Sequence, residues 1–428
     1  MARSRAIWGG VLCVAALLDF GAPARAGDPM AGASLYSDVR RFESFGTHRY
    51  GSPGAEQALS WIAEELGAAG MSVSSQSFSI KRQYAFESGT LTINGRAIAV
   101  APHWWLPSGQ ASFSLTAPLV ATGDAAGAFV RLTLPFDNRS YLTGDHREAL
   151  QAAFQRNPAA VLLTIDHPSG EIFTYNVDQS EVPWPVPVIL VGARDKLALD
   201  AAEAAAQPLS LVIKGTYRAD VAGHNVIGRL ERGKPKTLII STPVTSWFTS
   251  TCERAPGIAG FLALARWARE ALPNVNLVFV ATAGHEIGHG GMEHFIRTEA
   301  PKPAQTAAWV HLGASLACYH WEKRDGTWAT DKIVDTRVRL INRSQSLDAT
   351  VRKTFGAIKG IDRIGEAAAI GELREIYAAG YADFFGMAGQ HQFFHTPADT
   401  AAATGPEALE PVIRAFAETL KEIDAAKL

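Results

Sequence analysis

Apolar residues recur along this chain with two different spacings. Helical spacing, with apolar side chains three or four positions apart, occurs at 35–42, 59–66, 257–272 and from about 406 onward. Continuous apolar runs, typical of strands buried on both faces, occur at 238–241, 275–281 and around 309–310. Strands that alternate with helices in this way predict an α/β fold with a mainly parallel twisted sheet and helices on both faces.

The middle of the chain has a different pattern of apolar segments. Strand-like runs at 129–134, 161–165 and 188–191 alternate with alanine-rich helical stretches, and Pro183, Pro185 and Pro187 interrupt the pattern. This predicts a smaller α/β module inserted into the main domain. The chain after residue 26 then divides into a first part of the main domain (27–114), the insert (115–215) and the rest of the main domain (216–428).

The first 26 residues have the pattern of a signal peptide. Arg3 and Arg5 precede an apolar run at 7–18, and Ala24-Arg25-Ala26 is a small-x-small cleavage pattern, so cleavage is expected after Ala26. The alternative, a membrane anchor, is disfavoured because the apolar run is too short to cross a bilayer. The sequence therefore predicts a periplasmic or secreted protein without a membrane span.

Composition narrows the possible partners. Hydrophobic residues make up 47% and charged residues 19% of the chain, and the formal net charge is -2. This is an ordinary globular balance without the basic excess that phosphate backbones require, so no nucleic-acid partner is expected. Cys252 and Cys318 remain after the signal peptide, and in an oxidising compartment they are compatible with one disulfide. The sequence does not show whether they meet.

Polar clusters follow the buried strands. They lie at 242–254, at 284–289 and at His311, and a further cluster occupies the late segment 394–400. In an open parallel sheet, ligands bind beyond the carboxyl ends of the strands. We therefore expect these clusters to form one site.

The segment His285-Glu286-Ile287-Gly288-His289 matches a zinc-binding helix motif. That interpretation is disfavoured because the segment follows a strand directly, where a loop should begin. Its neighbouring glycines would also make a poor helix interior. His289 is accordingly interpreted as a packing or surface residue.

Several motifs fall in the order found in one enzyme family. They are Gly51-Ser52-Pro53-Gly54-Ala55 before a helix, Asn225-Val226-Ile227-Gly228, Ser246-Trp247, Gly257, and His395-Thr396-Pro397-Ala398-Asp399-Thr400. In these motifs the chain resembles the secreted zinc exopeptidases of metallopeptidase family twenty-eight, relatives of glutaminyl cyclase and of the transferrin receptor. The resemblance implies the zinc-exopeptidase fold, and the insert looks like a protease-associated domain.

The resemblance also implies a set of metal ligands. Glu286 and His395 match two ligands of the family, Glu253 takes the position of the bridging aspartate, and His311 takes that of a further acidic ligand. The family's His-x-Asp ligand motif is replaced by Pro243-Val244-Thr245, and proline offers no ligand atom. A single zinc ion is therefore expected in place of two.

Other positions receive expected roles from the same comparison. His285 occupies the place of the general base, and imidazole can accept a proton near neutral pH. Arg254 is expected to bind a substrate carboxylate, and Trp247 to form an aromatic wall or to pack in the core. Asp399 should orient His395 or cap the turn after Pro397.

These expectations favour an exported, aminopeptidase-like hydrolase of peptide or small amide substrates with one zinc ion. Two alternatives stay open. In one, the chain is a catalytically inactive binding or scaffolding protein, as the transferrin receptor is on the same fold. In the other, it is a metal-free thiol hydrolase with Cys252 as nucleophile and His285 or His311 as base. The oligomeric state is not predicted.

Overall fold

A computed structural model describes residues 27–104, 106–107, 110–176, 184–365 and 368–426. The predicted signal peptide lies outside these ranges. Within them, no helix combines the length and the apolar character that crossing a membrane requires.

One large mixed sheet organises the described part of the chain. Its strands are β1 Ser72–Ile93, β2 Arg96–Pro102, β3 Phe113–Pro118, β4 Phe129–Pro135, β5 Ala160–Asp166, β6 Val188–Val191, β7 Pro208–Leu230, β8 Thr237–Pro243, β9 Asn276–Thr282 and β10 Thr306–Leu312, followed by β13 Arg339–Asn342, β14 Arg363–Ile364 and β15 Phe384–Ala388. Strands β11 Tyr319–Arg324 and β12 Thr327–Val334 form a separate antiparallel hairpin. The order across the large sheet is β14-β13-β15-β10-β8-β9-β7-β1-β2-β6-β5-β4, and β3 pairs with β7.

Helices cover both faces of this sheet. Their bounds are α1 Gly32–Glu43, α2 Pro53–Ala68, α3 Gly144–Phe154, α4 Lys196–Ala204, α5 Thr251–Ala271, α6 Gly290–Thr298, α7 Asp348–Phe355, α8 Leu373–Ala378 and α9 Pro406–Ala426. One core joins α1, α2, α5 and α9 to one face of the central strands, and a second core joins α6 and α8 to the opposite face.

The centre of the sheet is parallel, as the sequence predicts. Strands β9, β8, β10 and β15 are parallel neighbours. Every residue of β8, β9 and β10 is buried, which explains why these strands are continuous apolar runs rather than alternating ones. The predicted α/β fold with helices on both faces is therefore confirmed.

The smaller module is continuous with the main sheet. Strands β1 and β7 form a long antiparallel ribbon from Ser72↔Arg229 to Thr92↔Ser210, and the far end of this ribbon carries the smaller module. Strand β2 pairs with β6, and β6, β5 and β4 are parallel. Residues before 115 thus contribute to the module's sheet, together with the predicted insert.

Candidate functional site

The polar clusters lie together at the carboxyl ends of the central strands, as expected for a parallel sheet. Thr245 follows β8, His285 follows β9 in a short 3-10 turn, and His311 lies near the end of β10. His395 comes from the late loop between β15 and α9.

Glu253 and His395 form a buried pair. His395 Nε2 lies 3.5 Å from Glu253 Oε1, and both side chains are about 1% exposed. The His395 ring is held from the smaller module, because its Nδ1 donates to the Thr174 carbonyl oxygen at 2.9 Å and the Thr174 amide donates to the His395 carbonyl oxygen. Both carboxylate oxygens of Glu253 and the Nε2 of His395 lack a hydrogen bond of good geometry among the described residues.

Arg254 places a positive charge in the middle of this cluster. Its side chain has no exposed surface, its Nη2 lies 2.9 Å from Glu253 Oε1, and its Nε donates to the Thr245 carbonyl oxygen at 2.7 Å. Burial alone would raise the pKa of Glu253, but Arg254 and His395 outweigh it and lower that pKa to about 2. Glu253 and Arg254 therefore form a buried ion pair.

Glu286 is bound to the scaffold through both carboxylate oxygens. Oε2 accepts from the Thr245 hydroxyl at 2.8 Å, and Oε1 accepts from the Tyr50 amide at 3.3 Å. Thr245 also accepts from the Gly284 amide, so Glu286 ties the loops after β8 and β9 together. Burial raises the pKa of Glu286, and these hydrogen bonds oppose that rise only partly.

Two histidines are each oriented by a glutamate. His285 Nδ1 lies 3.3 Å from Glu372 Oε1, and His289 Nδ1 lies 2.6 Å from Glu375 Oε1. The two imidazole centroids are 4.7 Å apart. An ionised carboxylate only accepts hydrogen bonds, so Nδ1 of His285 is the protonated nitrogen and Nε2 is available as an acceptor. Burial, followed by the charge of Arg254, keeps the pKa of His285 well below its usual value.

In His311 the protonated ring nitrogen is the opposite one from that in His285. Ser241 Oγ accepts from Trp309 Nε1 at 2.8 Å and lies 2.8 Å from His311 Nδ1. Among the described residues, His311 Nδ1 is the only acceptor for the buried Ser241 hydroxyl proton. The arrangement that pairs this proton has Ser241 donating to Nδ1, and the neutral His311 ring then carries its own proton on Nε2. Burial lowers the pKa of His311 to about 4, so this ring offers an N–H donor rather than a lone pair.

A cavity of about 490 Å³ lies over the three histidines. His285, His289 and His311 line it, whereas Glu253, Arg254, Glu286 and His395 are absent from its wall. Of the four predicted ligands, His311 therefore lines the cavity, whereas Glu253, Glu286 and His395 do not.

Two further predicted residues have structural roles. Trp247 is about 6% exposed and does not line the cavity, and its Nε1 donates to Asn176 Oδ1 at 2.8 Å. Asp399 accepts from the amides of Cys252 and Glu253 at 2.7 and 3.0 Å. Asp399 therefore caps the first turn of α5, while the ring of His395 is positioned by Thr174.

Non-glycine residues in the left-handed region cluster at this site. The φ angles of His289 and His395 are 58°, and those of Ser250 and Ser315 are 43° and 61°. Such a conformation costs free energy and persists where surrounding contacts enforce it. The contacts around these four residues therefore enforce their backbone conformation.

Cys252 and Cys318 form a disulfide in the structure, with their Cα atoms 5.7 Å apart. Both residues are fully buried. A disulfide sulfur is not a thiolate nucleophile, so the thiol-hydrolase alternative loses the group it requires.

The predicted zinc ligands do not fit a zinc ion in this arrangement. Of Glu253, Glu286, His311 and His395, no three belong to a described group of donor atoms close enough to share an ion. Catalytic zinc usually has three protein ligands. The Glu253 carboxylate is already paired with the Arg254 guanidinium, whose positive charge would repel a metal ion bound beside it.

Three contributors were not found from the sequence. Glu372 and Glu375 are brought to the histidines by α8, nearly ninety residues away in the chain. His289 is buried, in keeping with the predicted packing role, and it also lines the cavity. The only sequence signal for these residues is the shared motif of His285 and His289, whose helical interpretation was rightly disfavoured: His285–Ile287 is a 3-10 turn and α6 begins at Gly290.

Sequence comparisons identify no relative of this chain. No family model matches it, and no curated protein matches it.

Solved structures do match. A zinc aminopeptidase from Bacillus subtilis has a TM-score of 0.70 at 18% identity, over 92% of this chain and 96% of that one. A peptidase M28 precursor from Shewanella amazonensis has a TM-score of 0.66 at 14% identity, over 91% and 92%. An aminopeptidase from Aneurinibacillus sp. strain AM-1 has a TM-score of 0.59 at 17% identity, over 91% and 93%. The chain therefore has the fold of the zinc aminopeptidases, the fold that the order of its motifs predicted.

Proposed function

We infer that this chain is a binding protein on the aminopeptidase fold, which recognises peptide or small amide ligands without metal-dependent cleavage. The position of Arg254 is the main support, since its wholly buried guanidinium lies 2.9 Å from Glu253. A fixed internal cation thus neutralises the carboxylate expected to bridge metal ions. Both Glu286 oxygens already accept hydrogen bonds from the scaffold, and Glu286 does not line the cavity.

Zinc content tests this proposal directly. We expect the freshly purified protein to contain far less than one zinc per chain. Chelators or added zinc should leave its unfolding midpoint unchanged, and aminoacyl nitroanilides should not be hydrolysed. About one zinc per chain, lost together with hydrolysis in His395→Ala but not in the control His294→Ala, would instead establish the single-zinc hydrolase.

A second function has its own support in the pair His285–Glu372. Glu372 also accepts from the Thr282 hydroxyl at 2.9 and 3.0 Å, so it is held firmly while it orients the imidazole. His285 could then accept a proton from water in a metal-free hydrolysis. Turnover that resists chelators, is abolished in His285→Ala and has a displaced pH profile in Glu372→Gln would favour this function over binding.

We also infer that the protein is exported and oxidised. The basic and apolar pattern of residues 1–26 and the disulfide both fit an oxidising compartment. Intact mass spectrometry of the exported protein should give a chain that begins at Gly27 and lacks two hydrogens relative to the dithiol form. An unprocessed N-terminus, or two alkylatable cysteines without prior reduction, would contradict this inference.

A further inference from the structure

The cavity over the three histidines has an unusual charge. Its wall carries five arginines, and no aspartate or glutamate is among its described lining residues; the arginines are Arg139, Arg337, Arg339, Arg363 and Arg374. The whole chain is slightly acidic, with 40 basic and 42 acidic residues. The positive charge is therefore concentrated locally at this pocket.

Some of these charges already have protein partners. Arg337 Nη2 lies 2.7 Å from Asp335 Oδ2, and Arg139 pairs with Asp137 and Asp145. Arg339 and Arg374 differ, since neither has a carboxylate within 4.0 Å among the described residues. The recorded contact of Arg374 is with the Tyr141 ring, at 5.8 Å. At least two arginines thus line the cavity without a carboxylate partner among the described residues.

A second arginine lies beside Arg339 in the sheet. Arg339 in β13 and Arg363 in β14 are register partners on neighbouring parallel strands, and both line the cavity. Arg363 has an interaction partner within the protein, so Arg339 and Arg374 are the two arginines available to a ligand.

Neutral donors complete the wall. Asn176 is buried, and its Oδ1 is already occupied by Trp247, so its Nδ2 is left to donate. His311 carries its proton on Nε2, as inferred from the chain Trp309–Ser241–His311. Both groups suit an oxyanion, and the cavity volume lies within the range of about 300–1,000 Å³ that small-ligand sites occupy.

From these observations we propose that the cavity binds a small ligand with two or more oxyanion groups, and that this ligand is a short peptide rich in acidic side chains. The peptide character rests on the proposed function, while the oxyanion character rests on the arginines alone. Guanidinium groups recognise carboxylates through paired hydrogen bonds, so Arg339 and Arg374 each receive one carboxylate.

Calorimetric titration of the full mature chain tests the proposal. Triglutamate should bind at least tenfold more tightly than triglutamine, which has nearly the same shape without the charges, and its affinity should fall as salt rises. Arg339→Ala and Arg374→Ala should each weaken triglutamate at least tenfold. Arg324→Ala removes an exposed arginine of the β11–β12 hairpin and should not change the affinity. Circular dichroism should show that all three variants are folded.

Each other outcome has a defined meaning. Equal binding of triglutamate and triglutamine, or equal effects of Arg339→Ala and Arg324→Ala, would overturn the proposal. Tripolyphosphate binding without triglutamate binding would retain the oxyanion pocket and overturn its peptide ligand. If triglutamate binds and is then cleaved, or if the protein contains stoichiometric zinc, the binding-protein proposal fails while the arginine pocket stands.

Discussion

Replacing Arg254 by methionine should destabilise the protein by about 3–5 kcal/mol, the usual cost of leaving one partner of a buried ion pair without the other. Among the residues that the structure describes, the imidazole of His395 is the only other group that can offer a positive charge within 4.0 Å of the Glu253 carboxylate. The variant must therefore either bury an unpaired carboxylate or protonate it. Urea unfolding followed by circular dichroism measures the change in free energy.

Two controls separate charge from packing. In Glu253→Gln/Arg254→Met both charges are removed, so most of the lost stability should return, because a buried ion pair and a neutral replacement are often close in free energy. Arg352→Met breaks an exposed pair with Asp348 and should cost less than about 1 kcal/mol. If Arg254→Met alone were as stable as the parent, Arg254 would not be the internal cation of this site.

The structure places Arg254 in an environment that its position in the sequence does not indicate. The sequence shows an arginine where the family has an acidic or amide residue, and an exposed guanidinium there would suit a substrate carboxylate. In the structure Arg254 lies in the first turn of α5, and its side chain is directed among Glu253, Thr245 and the buried imidazoles. Which way a helical side chain points, and what it meets, depends on the packing of neighbouring elements.

The central part of the fold was predictable for a physical reason. Strands β8, β9 and β10 are buried along their whole length, so burial alone makes them continuous apolar runs. Helix α9 begins at Pro406, the residue at which its start was predicted. For these elements, the pattern of apolar residues in the sequence is sufficient to predict both the secondary structure and its burial.

The rest of the site was not predictable, because it depends on contacts between residues that are far apart in the sequence. Glu372 meets His285 across 87 positions, and Thr174 meets His395 across 221. Neither pairing has a local signature. The cavity's arginines come from β13, β14, α8 and two loops, so only the assembled sheet reveals that their charges converge.

The second prediction with a large effect concerns the stability of the protein at low pH. Below pH 6.5 the protein should lose stability steeply, because several buried histidines are neutral when folded. Burial lowers the pKa of His103 and His167 to about 3 and that of His311 to about 4. Arg49 adds to the effect at His103, and Arg337 adds to it at His167.

Hydrogen bonds at Nδ1 explain why protonation is resisted. Trp184 Nε1 donates to His103 Nδ1 at 3.2 Å, and the Ser169 amide donates to His167 Nδ1 at the same distance. A proton on that nitrogen would break each contact in a site that solvent does not reach.

The sign of the pH dependence follows from these directions. Each folded pKa lies below the unfolded value, so the unfolded chain binds more protons and stability falls as pH falls. Each histidine contributes about 1.4 kcal/mol per pH unit from pH 6.5 down to its folded pKa, and the three together contribute about 4 kcal/mol per unit. Glu253 acts in a separate window, below its ordinary pKa of 4.5 and down to about 2.

Urea unfolding between pH 7.5 and 4.5 measures this slope. His167→Asn keeps an acceptor for the Ser169 amide but cannot titrate, so its slope should be shallower by about 1.4 kcal/mol per pH unit. His320→Asn changes a half-buried histidine of the hairpin and should leave the slope as it is in the parent. Stability that stays level from pH 6.5 to 5 would mean that these imidazoles are already charged in the folded protein, which would contradict the prediction.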